Sequence, residues 1–253
     1  MAPDSQARPD MPDDRIDFIS VYCDSWCERC AFTARCSAFA VRVASAMCDD
    51  DIAASIELAV GRPRPVEPER EEPEPEWRRD LLSVEITPAE LAECGRVEEA
   101  RRRRVERSPV MAIASGLQGL AREWLDAHRE EVLAHGDAVV ADAIDIVSWD
   151  VYFIGVKLHR ALAGRDRLDD DNGDDEDDFE DDPIQNDWNG SAKVALISIE
   201  RSAAAWRTIA GATGDAKGAH LAEELSGLRL EVGRAFPDAW SFVRPGLDDD
   251  NGP

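Results

Sequence analysis

Residues 137–164 read DAVVADAIDIVSWDVYFIGVKLHRALAG, and this stretch decides the fold class. Its large aliphatic side chains recur three or four positions apart, at Val140, Ile144, Val147, Val151, Ile154 and Leu158. That spacing aligns them on one face of an α-helix, and such a face must pack against other apolar surfaces. Asp137 is a favourable N-cap residue, and Gly164 marks the predicted end of the helix.

Helical patterns also flank this stretch. Residues 87–90, TPAE, combine an N-cap threonine, a proline at the first helical position and a glutamate at N3, and predict a helix that ends near Arg107. Further amphipathic helices are predicted over about residues 108–135, 191–211 and 215–237. Four long helices in succession, from 108 onward, with no alternation of period two, predict a mainly α fold with an antiparallel helical bundle.

The N-terminal part of the chain also has a helical period. We predict one helix from Asp13 to about Cys30, a second over Ser37 to Cys48, and a third from the cap at Asp49–Asp51 to Gly61. This segment precedes a run of prolines and glutamates that is incompatible with regular hydrogen-bonded structure. The bundle is therefore predicted to carry a separate N-terminal helical segment.

Composition divides the chain further. Five prolines fall within 61–76, and eleven acidic residues fall within 169–182, where their charges repel one another. The predicted organisation is a disordered tail (1–12), a helical cysteine-cluster segment (13–60), a Pro/Glu-rich linker (61–76), the bundle (77–163 and 188–242), an acidic disordered insert (164–187) and an acidic tail (243–253).

The overall charge excludes several classes of partner. Fifty-four acidic residues against 29 basic ones give a formal charge of −25, which repels nucleic acid and anionic membranes. The N-terminus MAPDSQARPDMPDDR lacks the apolar core of a secretory signal, and no run of about 18 apolar residues follows. We therefore expect a cytoplasmic protein that binds neither nucleic acid nor membranes.

The strongest chemical signal is a cluster of four cysteines. Cys23, Cys27, Cys30 and Cys36 lie within YCDSWCERCAFTARC, residues 22–36, in a C-x3-C-x2-C-x5-C arrangement. If the first helix reaches Cys30, three of the thiols share one of its faces, and a break after it returns Cys36 to them. Four thiolates repel one another without a cation, so the sequence predicts a metal site formed by these four residues.

Spacing favours iron over zinc at this site. All four cysteines fall within fourteen residues, as in compact runs that hold cubane clusters, so we expect an iron–sulfur cluster of the 4Fe–4S type. Zinc is the alternative, although structural zinc sites commonly pair two knuckles across a longer spacer. The remaining reading is that the thiols simply fill a core, because free cysteine is often buried.

The first three cysteines also have the C-x3-C-x2-C spacing found in radical S-adenosylmethionine enzymes. That resemblance covers eight residues, 23–30. It would imply a cluster on a loop of a β/α barrel, with an aromatic residue just before the third cysteine. Arg29 stands in that place and no barrel pattern follows. The spacing alone therefore does not place the chain in that family.

Two further groups of polar residues lie on predicted helices. His128, Glu131 and His135 can share one helical face, where two imidazoles and a carboxylate could bind iron or zinc. Asp150 stands beside an apolar stripe, so we expect it to form an ion pair with a neighbouring helix. Its helix also carries Lys157 and Arg160, and the next long helix carries Lys193, Glu200 and Arg201. A polar ligand pocket built from these residues is the alternative.

Basic residues concentrate at Arg101–Arg104. Glu98, Glu99 and Glu106 are interleaved with them, which predicts an exposed face of salt bridges. A docking site for the acidic insert or an acidic protein partner is the alternative. Walker, G-x-S-x-G and dinucleotide-binding motifs are absent from the sequence, so no reaction class is assigned.

Together these features predict an iron–sulfur protein in which the cluster has a redox, sensing or structural role. The alternative is a zinc-stabilised or metal-free adaptor that binds protein partners through Arg101–Arg104 or the acidic insert.

Overall fold

A computed structural model of the chain describes residues 15–16, 21–49, 51–61, 86–135, 137–170 and 182–248. Within these ranges the chain is mainly α-helical and forms no β-strand, which confirms the predicted fold class. The helices are α1 (Ser37–Met47), α2 (Ile52–Val60), α3 (Pro88–Glu106), α4 (Pro109–Ala134), α5 (Ala138–Asp170), α6 (Asp187–Thr213) and α7 (Ala216–Ala235). The predicted tail at 1–12 and residues 62–76, 171–181 and 249–253 lie outside the described ranges.

The chain divides into two compact units. One contains residues 21–24 and 96–244, and the other contains the described parts of 1–20, 25–95 and 245–253. In the first unit α5 packs against both α4 and α6, α6 packs against α7, and α7 packs against α4. Short connections between α4 and α5 and between α6 and α7 reverse the chain direction, as the prediction of an antiparallel bundle requires.

The bundle core consists of the stripes predicted from the sequence. All six aliphatic residues of the α5 stripe are buried. Trp124 of α4 and Trp206 of α6 meet edge to face, with ring centroids 5.0 Å apart, which is a favoured arrangement for aromatic pairs. Caps fix the helix ends, because Ser108, Asp137 and Asp215 each accept a hydrogen bond from a backbone amide in the first turn that follows.

Two helix boundaries differ from the prediction. Helix α5 continues six residues past Gly164 to Asp170, and so takes in the first part of the predicted insert. Helix α6 begins at Asp187 and not near Ser191, because the Asn186 side chain caps it by accepting a hydrogen bond from the Asn189 amide. Both helices therefore extend beyond the apolar stripes from which their ends were predicted.

The smaller unit is held together around Ser37. The backbone of Ile16 pairs with this region, because Ile16 N donates to Arg35 O and Ser37 N donates to Ile16 O, both at 3.0 Å. The Ser37 hydroxyl donates to Ile16 O as well. Helices α1 and α2 pack together, and Asp51 caps α2 as predicted.

The prediction of a helix reaching Cys30 is wrong. Within residues 22–36 the only helical turn is a short 3-10 turn at Cys27–Arg29. The carbonyl oxygens of Val21 and Asp24 accept hydrogen bonds from side chains of α5, so they are not used in a helix of their own. Ser25 adopts a φ of 55°, which an α-helix does not allow. The cysteines therefore stand on an irregular segment.

Candidate functional site

The second and third cysteines form a tight turn. The 3-10 turn at Cys27–Arg29 is closed by Cys30 N, which donates to Cys27 O at 3.2 Å. The amide of Phe32 donates to Cys30 Sγ at 3.4 Å. Amide hydrogen bonds of this kind stabilise a sulfur that carries negative charge and tune the metal centre that it binds.

The four predicted ligands form no disulfide among the described residues, and all four are partly exposed. Cys27, Cys30 and Cys36 belong to the smaller unit and Cys23 to the bundle unit. Among the residues that the structure describes, no three histidine, cysteine, aspartate or glutamate side chains are grouped as a metal site. Within the smaller unit the structure therefore forms the turn at Cys27–Cys30 but does not group Cys36 with these two cysteines as a metal site.

The residues around Cys23 are attached to the bundle by two side chains of α5. Lys157 Nζ donates to Val21 O at 2.5 Å, and Trp149 Nε1 donates to Asp24 O at 3.1 Å. Lys157 is buried, and burial lowers the pKa of its ammonium group, whereas the thiolate form of Cys23 acts in the opposite direction. Residues 21–24, the anchor segment, are thus held at both ends, with Cys23 near a buried cation.

Arg201 links the anchor segment to the bundle core. Its guanidinium donates to both carboxylate oxygens of Asp150, at 3.1 and 2.5 Å, and to Asp24 Oδ2 at 2.5 Å. Asp150 is fully buried, and burial raises its pKa to about 6, while its hydrogen bonds with Arg201 act to lower it. The ion pair predicted for Asp150 is confirmed, with Arg201 as its cation. Asp24 is a second carboxylate partner of Arg201.

Close packing completes the attachment of the anchor segment. The ring of Tyr22 lies 5.0 Å from that of Phe242, centroid to centroid, and both rings lie against Gly190 at the start of α6. A Cβ at position 190 would lie 2.6 Å from Tyr22 Cε1 and 2.8 Å from Phe242 Cζ. Only glycine allows the two rings to approach α6 this closely.

The other residues of the predicted polar pocket do not converge. Lys193 donates to Phe242 O at 2.5 Å. Arg160 pairs with Asp187, and Glu200 pairs with Arg229, both on exposed surfaces. The pocket hypothesis is therefore not supported, because Arg201 and Lys157 bind the chain's own anchor segment and Asp150 binds Arg201.

The arginine-rich face is paired as predicted. Arg101 and Arg104 form ion pairs with Asp166 of α5, and Arg101 also pairs with Glu98. Arg102 and Arg103 pair with Glu99. These contacts neutralise much of the positive charge that an acidic partner would require.

His128, Glu131 and His135 line one cleft at an end of the bundle. Their shared helical face is confirmed, although no metal-binding group exists there among the described residues.

The anchor segment was missed by sequence reasoning. Tyr22 and Asp24 flank Cys23 without any periodic pattern, and their partners Phe242 and Trp149 lie more than a hundred residues further along the chain. The available signal for a partner of the helix was Lys157, a second charged residue beside the apolar stripe that carries Asp150. Such a residue requires a buried partner.

No helix in the described part of the chain combines the length and the apolarity that a bilayer crossing requires. Comparison of the chain with protein-family models, curated proteins and solved structures found no match.

Proposed function

We propose that this chain binds a metal centre through Cys23, Cys27, Cys30 and Cys36, and that the centre is an iron–sulfur cluster of the 4Fe–4S type. The observation that carries the proposal is the turn at Cys27–Cys30, where an amide already donates to a cysteine sulfur. A sulfur that binds a cation carries negative charge and gains from such a donor, whereas a thiol that only fills space has no need of one.

Charge near the cysteines supports the same proposal. A cubane cluster with four thiolates carries net negative charge, which nearby cations stabilise. Arg29 and Arg35 belong to the cysteine segment, where they lie over the rings of Trp26 and Phe32. In the bundle unit the ammonium of Lys157 is near Cys23. Arg29 and Arg35 thus directly precede Cys30 and Cys36 in the sequence, and Cys23 interacts with the ammonium of Lys157.

Incomplete assembly of the ligands fits a site that forms with its metal. Thiolates repel one another until a cation neutralises them, so metal binding and the ordering of a cysteine segment are commonly coupled. On this proposal the anchor segment holds Cys23, the turn holds Cys27 and Cys30, and the metal brings them together with Cys36. The role of the cluster is redox, sensing or structural. We place the protein in a reducing compartment, the cytoplasm, where thiols stay available.

The test is anaerobic purification of the full chain with analysis of iron, sulfide and zinc. We expect a brown protein with broad absorbance at about 400 nm. Single Cys→Ser variants at the four positions should each lose most of the iron. Cys48→Ser and Cys94→Ser are the matched controls, and they should retain wild-type iron content because these cysteines lie outside the proposed site.

The outcomes separate the alternatives. Colourless protein with stoichiometric zinc that is lost in the same four variants would support the metal site and overturn the cluster. Protein free of both metals would overturn the proposal and favour an adaptor, with Arg101–Arg104 or the acidic insert as its contact surface. Iron loss in the control variants equal to that in the site variants would show unspecific binding.

A further inference from the structure

We propose that the cleft at the end of the bundle that holds His128 and His135 binds a small organic cation, an ammonium or amidinium group on an apolar frame. The cleft has a volume of about 670 Å³ and lies between the C-terminal ends of α4 and α6 and the N-terminal ends of α5 and α7. That volume is within the range of roughly 300–1,000 Å³ that is typical of small-molecule sites. It far exceeds the roughly 30 Å³ that one water occupies.

The sign of the charge in the cleft selects a cation. Glu131, Asp137 and Asp215 contribute carboxylates, and the lining contains neither lysine nor arginine. Burial alone would raise the pKa of Asp215, but hydrogen bonds from the Gly218 amide and the Trp124 indole lower it below its usual range. An anion would meet three negative groups. The helix N-termini, which could otherwise attract it, are already capped by Asp137 and Asp215.

The polar groups of the cleft are mainly hydrogen-bond acceptors, so they would favour a ligand that donates hydrogen bonds. Two donors of the lining are already used, because Trp124 Nε1 donates to Asp215 at 3.0 Å and the Thr213 hydroxyl donates to Ile209 O at 2.8 Å. His135 Nδ1 lies 2.8 Å from Glu131 O. In the neutral ring this nitrogen carries the proton, so Nε2 is an acceptor. The Glu131 carboxylate has no hydrogen-bond partner among the residues described.

The walls of the cleft would hold the carbon frame of such a ligand. Val132 of α4, Val140 of α5 and Ala212 of α6 line it beside the polar groups. The His128 ring packs against the buried Trp124, with centroids 5.2 Å apart. The two rings add aromatic surface to the lining of the cleft. A metal ion is a poorer fit, because no three ligating side chains in the described chain are grouped around one point.

The experiment is a titration of the full chain with benzamidine, followed by calorimetry and by NMR of the histidine side chains. Benzamide, a neutral molecule of the same shape, is the control ligand. We expect the signals of His128 and His135 to move with benzamidine, while those of His159 and His220, which lie outside the cleft, stay in place. Benzamide should bind about tenfold more weakly, because it lacks the charge that the three carboxylates attract.

A pair of neighbouring variants tests the site itself. Glu131→Gln should weaken benzamidine binding by about fivefold, which corresponds to the loss of one partly exposed ion pair. Glu130→Gln removes the same charge one residue away, outside the cleft lining, and should leave binding within about twofold of wild type. Cys23→Ser should leave binding unchanged, so this proposal stands or falls independently of the metal site.

Three results would overturn the proposal. These are equal binding of benzamide and benzamidine, equal losses in the two glutamate variants, and histidine signals that stay in place at millimolar benzamidine. Stoichiometric zinc chloride that shifts both His128 and His135 would instead make the cleft a metal site.

Discussion

Arg201 of α6 donates two hydrogen bonds to Asp150 of α5, at 3.1 and 2.5 Å, and Asp150 is completely buried. The same guanidinium reaches Asp24, so one cation joins the two central helices and the anchor segment. A buried ion pair loses much of its attraction to desolvation, so we infer that its main effect here is to favour one arrangement of the chain over others. Here the arrangement it specifies is the docking of residues 21–24.

Removal of Arg201 should therefore be costly. Arg201→Met leaves the Asp150 carboxylate buried without a cation, and we expect the free energy of unfolding to fall by about 3–5 kcal/mol in urea titrations. Adding Asp150→Leu should recover most of that loss, because the uncompensated charge is then gone. Arg229→Met breaks the exposed pair with Glu200 and should cost at most about 1 kcal/mol. A double variant no more stable than Arg201→Met alone would contradict this account.

Asp150 should also give stability a characteristic pH dependence. Its pKa of about 6 in the folded chain is above the ordinary value of 3.8, so the folded state holds the proton more tightly. Protonated Asp150 therefore stabilises the folded state by up to about 3 kcal/mol relative to the ionised form. This contribution is fully present below about pH 4 and is lost as the pH rises through about 6. The test compares the free energy of unfolding of the wild type and of Asp150→Asn at pH 4.5 and at pH 7.5. All other carboxylates are present in both proteins, so the difference between them reports on Asp150 alone. The wild type should gain relative to the variant at the lower pH, and a gain at the higher pH would reverse the assigned sign.

The helices could be predicted because their signals are local. Capping residues such as Ser108 and Asp215 lie within a few positions of the helices they start, and an apolar stripe is visible in one helix at a time. The ion-pair partner of Asp150 was also foreseeable, since a carboxylate within an apolar stripe requires a counter-charge. The bundle therefore follows from patterns that span a few turns of helix.

The cysteine segment could not be predicted in the same way. Ile16, Ile19 and Cys23 repeat with a helical period, yet the conformation there is set by contacts with side chains far along the chain. Trp149 and Lys157 donate hydrogen bonds to the carbonyl oxygens of Asp24 and Val21, which would accept backbone hydrogen bonds in a helix. Such tertiary hydrogen bonds override local propensity, and nothing near residue 23 in the sequence announces them.

Gly190 offers a direct test of how the anchor segment packs. Gly190→Ala places a Cβ 2.6 Å from the Tyr22 ring, so we expect a loss of about 1–3 kcal/mol in the free energy of unfolding. Gly211→Ala is the matched control in the same helix, because a Cβ there meets nothing within 4 Å. The control should gain about 0.5–1 kcal/mol from helix propensity. Equal effects of the two substitutions would mean that the rings do not depend on position 190.

Lys157 and Trp149 should act on stability as a coupled pair, because both hold residues 21–24. Lys157→Met leaves a carbonyl oxygen of that segment unpaired and should cost about 1–3 kcal/mol, and Trp149→Phe should cost about 1 kcal/mol. Loss of either contact loosens the segment and weakens the other contact, so the double variant should lose less stability than the sum of the two single losses. Lys217→Met, which removes an exposed ammonium 3.6 Å from Glu123, should be nearly neutral and should add independently to Trp149→Phe. Strict additivity of Lys157→Met and Trp149→Phe in urea titrations would show that the two side chains do not hold one common segment.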